Sequence, residues 1–236
     1  MPESANQARR DRILDAAAKL FIHFGFDKST VSEIAQEAAV SKGAIYLHFE
    51  SKEALLEALI LRELERYAEK WLALIEADPE GGTIAGMYKN SLYALTDSAF
   101  MAATFRQDGR VLGNYMRKPG NFFSAYREAQ SPSERVVFVT LMQEAGAMRA
   151  DVDPKVVAHI FDMQAFSLVG IHEVIPPEKA PPLDEVIEGI AELMQRALAP
   201  EGPYDPEKGK AILRELAEAG RQQYQAMQSK DEEEGP

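Results

Sequence analysis

Apolar residues recur along this chain at helical spacing almost from end to end. Ile13, Ala17, Leu20, Phe21 and Phe24 form one stripe over Arg9–Phe24, and Gly25 follows as a natural stop. Val31, Ile34, Ala35 and Ala38 give the inner face of a short helix. It is opened by Thr30-Val31-Ser32-Glu33, the pattern of a capping box, in which hydroxyl and carboxylate satisfy the first free N–H groups. Ser41 caps a second short helix, Lys42–His48, that turns Ile45 and Phe49 inward. Ser51 then starts a long helix reaching Ala77, with Leu55, Leu56, Leu59, Ile60 and Leu64 on its apolar side, and Asp78-Pro79-Glu80-Gly81-Gly82 ends it.

The remainder reads as helical but less regular. Thr83–Phe105 carries Met87, Tyr88, Leu92, Leu95 and Phe100, and a short piece around Val111–Met116 follows. Asn121–Ala129 and Ser133–Met148 are separated by Ser131-Pro132, a break or a kink. Asp153-Pro154 opens a helix to Val174, Leu183–Leu198 is amphipathic, and Asp205-Pro206 starts a last helix over Pro206–Met227. The final stretch, 229–236, is acidic and expected to be disordered. No run alternates β-branched and polar residues between turn signals, so the fold class is all-α.

Composition narrows the function classes. The chain has 236 residues and no cysteine, which excludes disulfides and thiolate metal sites and points to a cytoplasmic protein. Its four histidines form no HxxxH pair, no apolar run is long enough for a membrane span, and the N-terminus lacks a signal-peptide core. GxSxG, P-loop, HExxH and Rossmann glycine patterns are all missing, so neither an enzyme nor a cofactor is expected. The net charge of −12 speaks against nucleic acid until it is divided. Residues 1–52 hold seven Lys/Arg and seven Asp/Glu, whereas residues 53–236 hold 19 and 31. The acidity therefore lies wholly outside the first 52 residues.

Two short helices joined by a tight turn make a helix-turn-helix, whose second helix fits the major groove of double-stranded DNA. Lys42 suits a guanine edge or a phosphate. Gly43 and Ala44 let the backbone lie close to the bases, and Leu47 offers an apolar contact. Thr30, Tyr46, His48 and Lys52 have polar tips suited to phosphate oxygens, with Lys52 in the first turn of its own helix, and Ser41 opens the stretch expected to touch DNA.

The run T-V-S-E-I-A-x-x-A-x-V-S-x-G-x-I-Y-x-H-F-x-S-K-E-x-L, from Thr30 to Leu55, resembles the DNA-binding signature of the TetR-type, or tetracycline-repressor-like, regulators. The preceding A-A-x-x-L-F-x-x-x-G-F, Ala17 to Phe26, is similar too. The resemblance implies a three-helix reading domain, 1–52, and a larger α-helical ligand-binding and dimerisation domain, 53–200. Residues 201–228 are then a helical extension beyond the usual family ending. It further implies a homodimer built on Asp153–Val174 and Leu183–Leu198, a palindromic operator with half-sites about 34 Å apart, and release by a small effector. The chain departs from the family at Ala39, where a turn glycine is usual. Alanine at positive φ is strained by roughly 1 kcal/mol.

The effector site is expected among Met87, Tyr88, Leu92, Phe100, Met101, Phe105, Phe122, Phe123, Tyr126, Phe138, Met142 and Phe166, a set suited to a bulky apolar ligand. Polar candidates are Asp97, Asn114, Gln143, Glu144, His159, Asp162 and Gln164. Arg106, Arg110, Arg117 and Lys118 suit an anionic head group, which favours a fatty-acyl or acyl-CoA-like effector. A cationic compound paired with Asp97 or Glu144 is the alternative, and a regulator with a vestigial pocket acting through a protein partner is a third.

Overall fold

Helices form where the stripes lie, with several boundaries moved. The computed structural model describes residues 2–124 and 134–233. Its helices are α1 (Pro2–Phe24), α2 (Val31–Glu37), α3 (Lys42–Tyr46), α4 (Lys52–Ala77), α5 (Ile84–Thr96), α6 (Ala99–Phe105) and α7 (Gly109–Leu112). A 3-10 turn over Gly113–Arg117 follows, and then α8 (Glu134–Glu144), α9 (Pro154–Gly170), α10 (Leu183–Leu198) and α11 (Pro206–Glu233). There is no strand among the described residues. Most of the Asn121–Ala129 helix and the Ser131-Pro132 break lie outside them.

The expected helix over Thr83–Phe105 divides at Asp97-Ser98, because Ser98 takes the N-cap of α6: its Oγ accepts from Met101 N at 3.1 Å. The helix expected to reach Val174 ends at Gly170 and tightens into a 3-10 turn. At the other end, α11 runs to Glu233, five residues into the stretch expected to be disordered. Its glutamine-, lysine- and glutamate-rich sequence has good helix propensity.

The chain packs as two compact units. The first comprises residues 1–64 and 98–129, so a boundary at residue 52 falls inside it. Its core joins Ile13, Leu14, Phe21, Ile34, Ile45, Leu55, Leu56, Leu59 and Ile60 of the first helices to Phe100, Val111, Leu112, Tyr115 and Phe123. Arg62 of α4 is buried, and its two terminal nitrogens reach the Asp11 carbonyl at 3.1 Å, Asp15 at 2.8 Å and Glu63 at 3.0 Å. Glu63 in turn accepts from Ser98 Oγ at 2.8 Å, so one charged chain links α1, α4 and the start of α6.

The second unit comprises residues 65–97 and 130–236. Here α10 packs on α5, α9 on α8, and α11 on α8. Helix α11 starts against the α4–α5 turn at a close approach only glycine allows: a Cβ on Gly82 would lie 1.7 Å from the Pro206 carbonyl, and one on Gly209 2.0 Å from that of Gly82. Arg214 fixes the same helix to Glu76 with two bonds of 2.5 and 2.7 Å.

Candidate nucleic-acid interface

The turn between α2 and α3 is built from local chemistry. At its start the capping box is complete: Glu33 N donates to Thr30 Oγ1 at 3.2 Å, while Thr30 N donates to Glu33 Oε2 at 2.8 Å. The Thr30 hydroxyl, which also donates to Glu33 Oε2, and then the Thr30 N–H hold the Glu33 carboxyl below its ordinary range. At the other end of α2, Val40 N reaches back to the Ala35 carbonyl at 3.0 Å and Ala39 N to that of Gln36 at 3.2 Å. That pair is a Schellman motif, and it requires a left-handed residue between them. Ala39 supplies it at φ 53°. Ser41 then caps α3, accepting from Ala44 N at 3.1 Å.

Helix α3 is five residues long, with Leu47 as its C-cap, shorter than the Lys42–His48 expected. Ile45 and Phe49 anchor it inward, at 1% and 5% exposure. Its outer side carries Lys42, Gly43, Tyr46 and Leu47, the last 83% exposed. Lys42 Nζ stands 5.9 Å from the Tyr46 ring centroid, so these two tips lie together. Ala44 and His48 are half-buried beside them.

Two residues expected to hold phosphates spend their donors inside the protein. The Thr30 hydroxyl donates to Glu33 Oε2 at 2.8 Å and its N–H is also used, so Thr30 is a cap. Lys52 Nζ donates to the Phe26 and Ser29 carbonyls at 2.8 and 2.9 Å and sits 4.2 Å from the Phe26 ring centroid. Its ammonium locks the start of α4 to the loop after α1. Residues not foreseen lie at the near end of α1. Arg10 stacks over the Phe49 ring at 5.7 Å, and burial first, then the charges of Arg9 and Arg10, hold His48 below the usual histidine range. The Arg9-Arg10-Arg12 cluster was the available signal.

The expected effector residues divide between the units. In the second, Met87, Tyr88, Leu92 and Met142 are buried and Phe138 half-buried. Tyr88 stacks on Phe161 at 4.5 Å and donates to the Phe161 carbonyl at 2.8 Å. Trp71 meets Phe138 edge-on at 6.4 Å and stacks with Tyr67 at 6.5 Å. Neither Tyr67 nor Trp71 was foreseen, although their spacing on α4 puts them on one face. Phe166 is 52% exposed and does not belong to this interior. Asp97 is exposed and paired with Lys70 at 3.2 Å, and Glu144 and His159 are exposed. Asp162 pairs with Arg135 at 2.6 Å, and Gln143 staples the α8–α9 loop through the Arg149 and Val152 carbonyls at 3.1 and 2.8 Å. Gln164 Oε1 is buried with no hydrogen-bond partner among the described residues.

In the first unit Phe100, Met101 and Phe123 are buried, and Phe105 and Phe122 half-buried. The cationic cluster is largely neutralised: Arg106 and Arg110 bind Asp108 at 2.7 and 2.9 Å, and Lys118 pairs with Glu53. Asn114 is exposed and gives its N–H to Asp27 at 3.0 Å. Tyr126 lies outside the described residues. Among the described residues, no cluster of histidine and carboxylate side chains is arranged to hold a metal, and no helix is long and apolar enough to cross a membrane.

Residues 13–59 match the family model described as bacterial regulatory proteins, tetR family. That segment carries the likeness to the TetR-family regulators. Among curated relatives the chain is 38% identical over 94 residues to the HTH-type transcriptional regulator UidR of Escherichia coli, 40% of this chain and 46% of that one. It is 28% identical over 154 residues to the A-factor receptor protein of Streptomyces griseus, 63% of this chain and 49% of that one. The chain thus spans about half the length of these relatives (46% and 49%). The TetR fold extends further than the sequence likeness. The transcriptional regulator FadR of Bacillus subtilis, solved with stearoyl-CoA, superimposes with a TM-score of 0.57 over 78% of this chain and 96% of its own at 19% identity.

Proposed function

We propose that this chain is a transcriptional repressor that binds a palindromic operator as a homodimer and is released by a small, largely apolar effector. The observation that carries the reading is the outer face of α3, where Lys42, Gly43, Tyr46 and Leu47 project from a helix locked on its inner side by Ile45 and Phe49. In this reading Lys42, Gly43, Ala44 and Leu47 face base edges, and Ser41, Tyr46 and His48 meet phosphates. Thr30 and Lys52 act indirectly, by fixing α2 and α4. A gel shift with the chain's own promoter DNA tests it: Tyr46→Ala and Lys42→Ala each abolish the shift at moderate salt. Wild-type affinity in both variants overturns the assignment.

The dimer reading is supported by apolar side chains left open on two helices. Val156, Ile160 and Met163 on α9 are 56%, 41% and 56% exposed and share one face, and Leu193 on α10 is 63% exposed. For the effector, the methionine- and aromatic-rich interior of the second unit favours a long acyl chain. Asp97 and Glu144 both face solvent, which disfavours a buried cation site. Long-chain acyl-CoA is the proposed class, and native mass spectrometry of the freshly purified dimer identifies what is bound. Failure of stearoyl-CoA to weaken operator binding would remove this effector class without touching DNA recognition.

A further inference from the structure

We infer that the Gly43–Leu47 face of α3 reads a thymine, by receiving its C5-methyl group against the Leu47 side chain over the bare Gly43 backbone. The inference rests on the operator-binding reading and adds which base chemistry that helix selects. Leu47 is the most exposed large apolar residue described, at 83%, and yet it sits on a helix otherwise anchored by buried neighbours. Gly43 stands four residues earlier, on the same face. Side chains of a helix lean toward its N-terminus, and Leu47 is still helical at φ −74° and ψ −19°, so it leans over the turn that begins at Gly43.

The protein's own packing does not require glycine there. A Cβ on Gly43 would meet only Ser41 Oγ, at an ordinary 3.8 Å, and the residue has no positive φ. By contrast a Cβ on Gly81 would collide with the Ile75 carbonyl at 2.1 Å, and one on Gly86 with that of Glu80 at 2.0 Å. Glycine in a helix is less favourable than alanine, so its presence at 43 leaves room outside the protein rather than inside it. Bare backbone at Gly43 and the exposed Leu47 side chain thus share a face with the paired Lys42 and Tyr46 tips. Among the bases only thymine presents an apolar group in the major groove.

Thymine and uracil differ by that methyl alone, which supplies the test. The full chain selects duplexes from a random-sequence pool. In the enriched site each dT is then replaced singly by dU, and binding is measured for wild type and Leu47→Ala. Leu47 is 83% exposed, so truncating it leaves the core intact, and an unchanged melting midpoint checks this. One dT per half-site is expected to matter, with dU weakening wild-type binding about fourfold and leaving Leu47→Ala unaffected. Gly43→Ala is expected to raise the melting midpoint while weakening binding to the same site. If every dU replacement is neutral for wild type, or if Leu47→Ala is equally sensitive, the inference is overturned and operator binding stands. If no duplex is enriched at all, the operator-binding reading fails and this one with it.

Discussion

Ala39 is a residue in the wrong chemistry for its position. The Schellman closure of α2 needs a left-handed residue, and Ala39 takes φ 53° to provide it. Its Cβ then crowds the following carbonyl, a strain of roughly 1 kcal/mol. Ala39→Gly is accordingly expected to raise unfolding stability by about 1 kcal/mol, read as a higher urea midpoint with unchanged m-value. The departure was visible in the sequence through the resemblance to TetR-type regulators, which usually have glycine in this turn. His48 carries a second prediction. Burial and the charges of Arg9 and Arg10 lower its pKa in the folded chain. Between that lowered value and the ordinary value of about 6.5, the folded chain binds fewer protons than the unfolded one, so stability rises with pH through the window and is level above it. A phosphate beside His48 acts in the opposite sense. Operator affinity at constant ionic strength is therefore expected to rise as pH falls through the window, and His48→Gln to flatten that slope.

Among the elements, the loop 25–29 between α1 and α2 ties the start of α4 to the Val111–Asn114 segment. Lys52 binds two of its carbonyls, Phe26 N donates to the Val111 carbonyl at 2.8 Å, and Asp27 receives Asn114 N. Ser29, buried, closes the loop on itself through Oγ to the Gly25 carbonyl at 2.9 Å. Lys52→Gln is expected to cost about 2 kcal/mol of stability and to leave the salt dependence of DNA binding unaltered. Lys42→Ala is expected to do the reverse, lowering the slope of log affinity against log salt by about one. Fluorescence anisotropy across a salt series separates the two lysines. The contrast marks what sequence can convey. Ser41, Ile45 and Phe49 act within a few residues of their partners, so spacing reveals them. Lys52 is satisfied by carbonyls 23 and 26 residues away, and a lysine at a helix start reads equally well as an anion contact.

For the molecule as a whole, helix content and most stripes were legible, but the grouping of helices was not. Phe100, Tyr115 and Phe123 are far along the chain from Ile13 and Phe21, and no periodicity announces that they share a core. Phe166 failed for a related reason: an aromatic on an apolar helix is inside or outside according to which neighbour covers it, and α9 leaves it half open. The proposed twofold contact predicts that Ile160→Glu with Met163→Glu yields a monomer by light scattering. Operator affinity is expected to fall by at least about 10²-fold, the loss that follows when two linked contacts become one. A variant that remains dimeric places the twofold contact elsewhere.

The first unit is discontinuous in sequence, and that matters to anyone wishing to transplant it. Cutting after residue 64 would take the helix-turn-helix but leave behind the Val111 carbonyl, the Gly113-Asn114 backbone and the Tyr115 and Phe123 rings, which complete its core. Gly25 fits against the Arg110 carbonyl, which a Cβ would approach to 2.4 Å, so the mating surface is shaped to its partner as well as apolar. A hybrid chain spliced at that point inherits a helix-turn-helix with an open flank unless the recipient supplies an equivalent of residues 98–124. The portable part is two segments, not one.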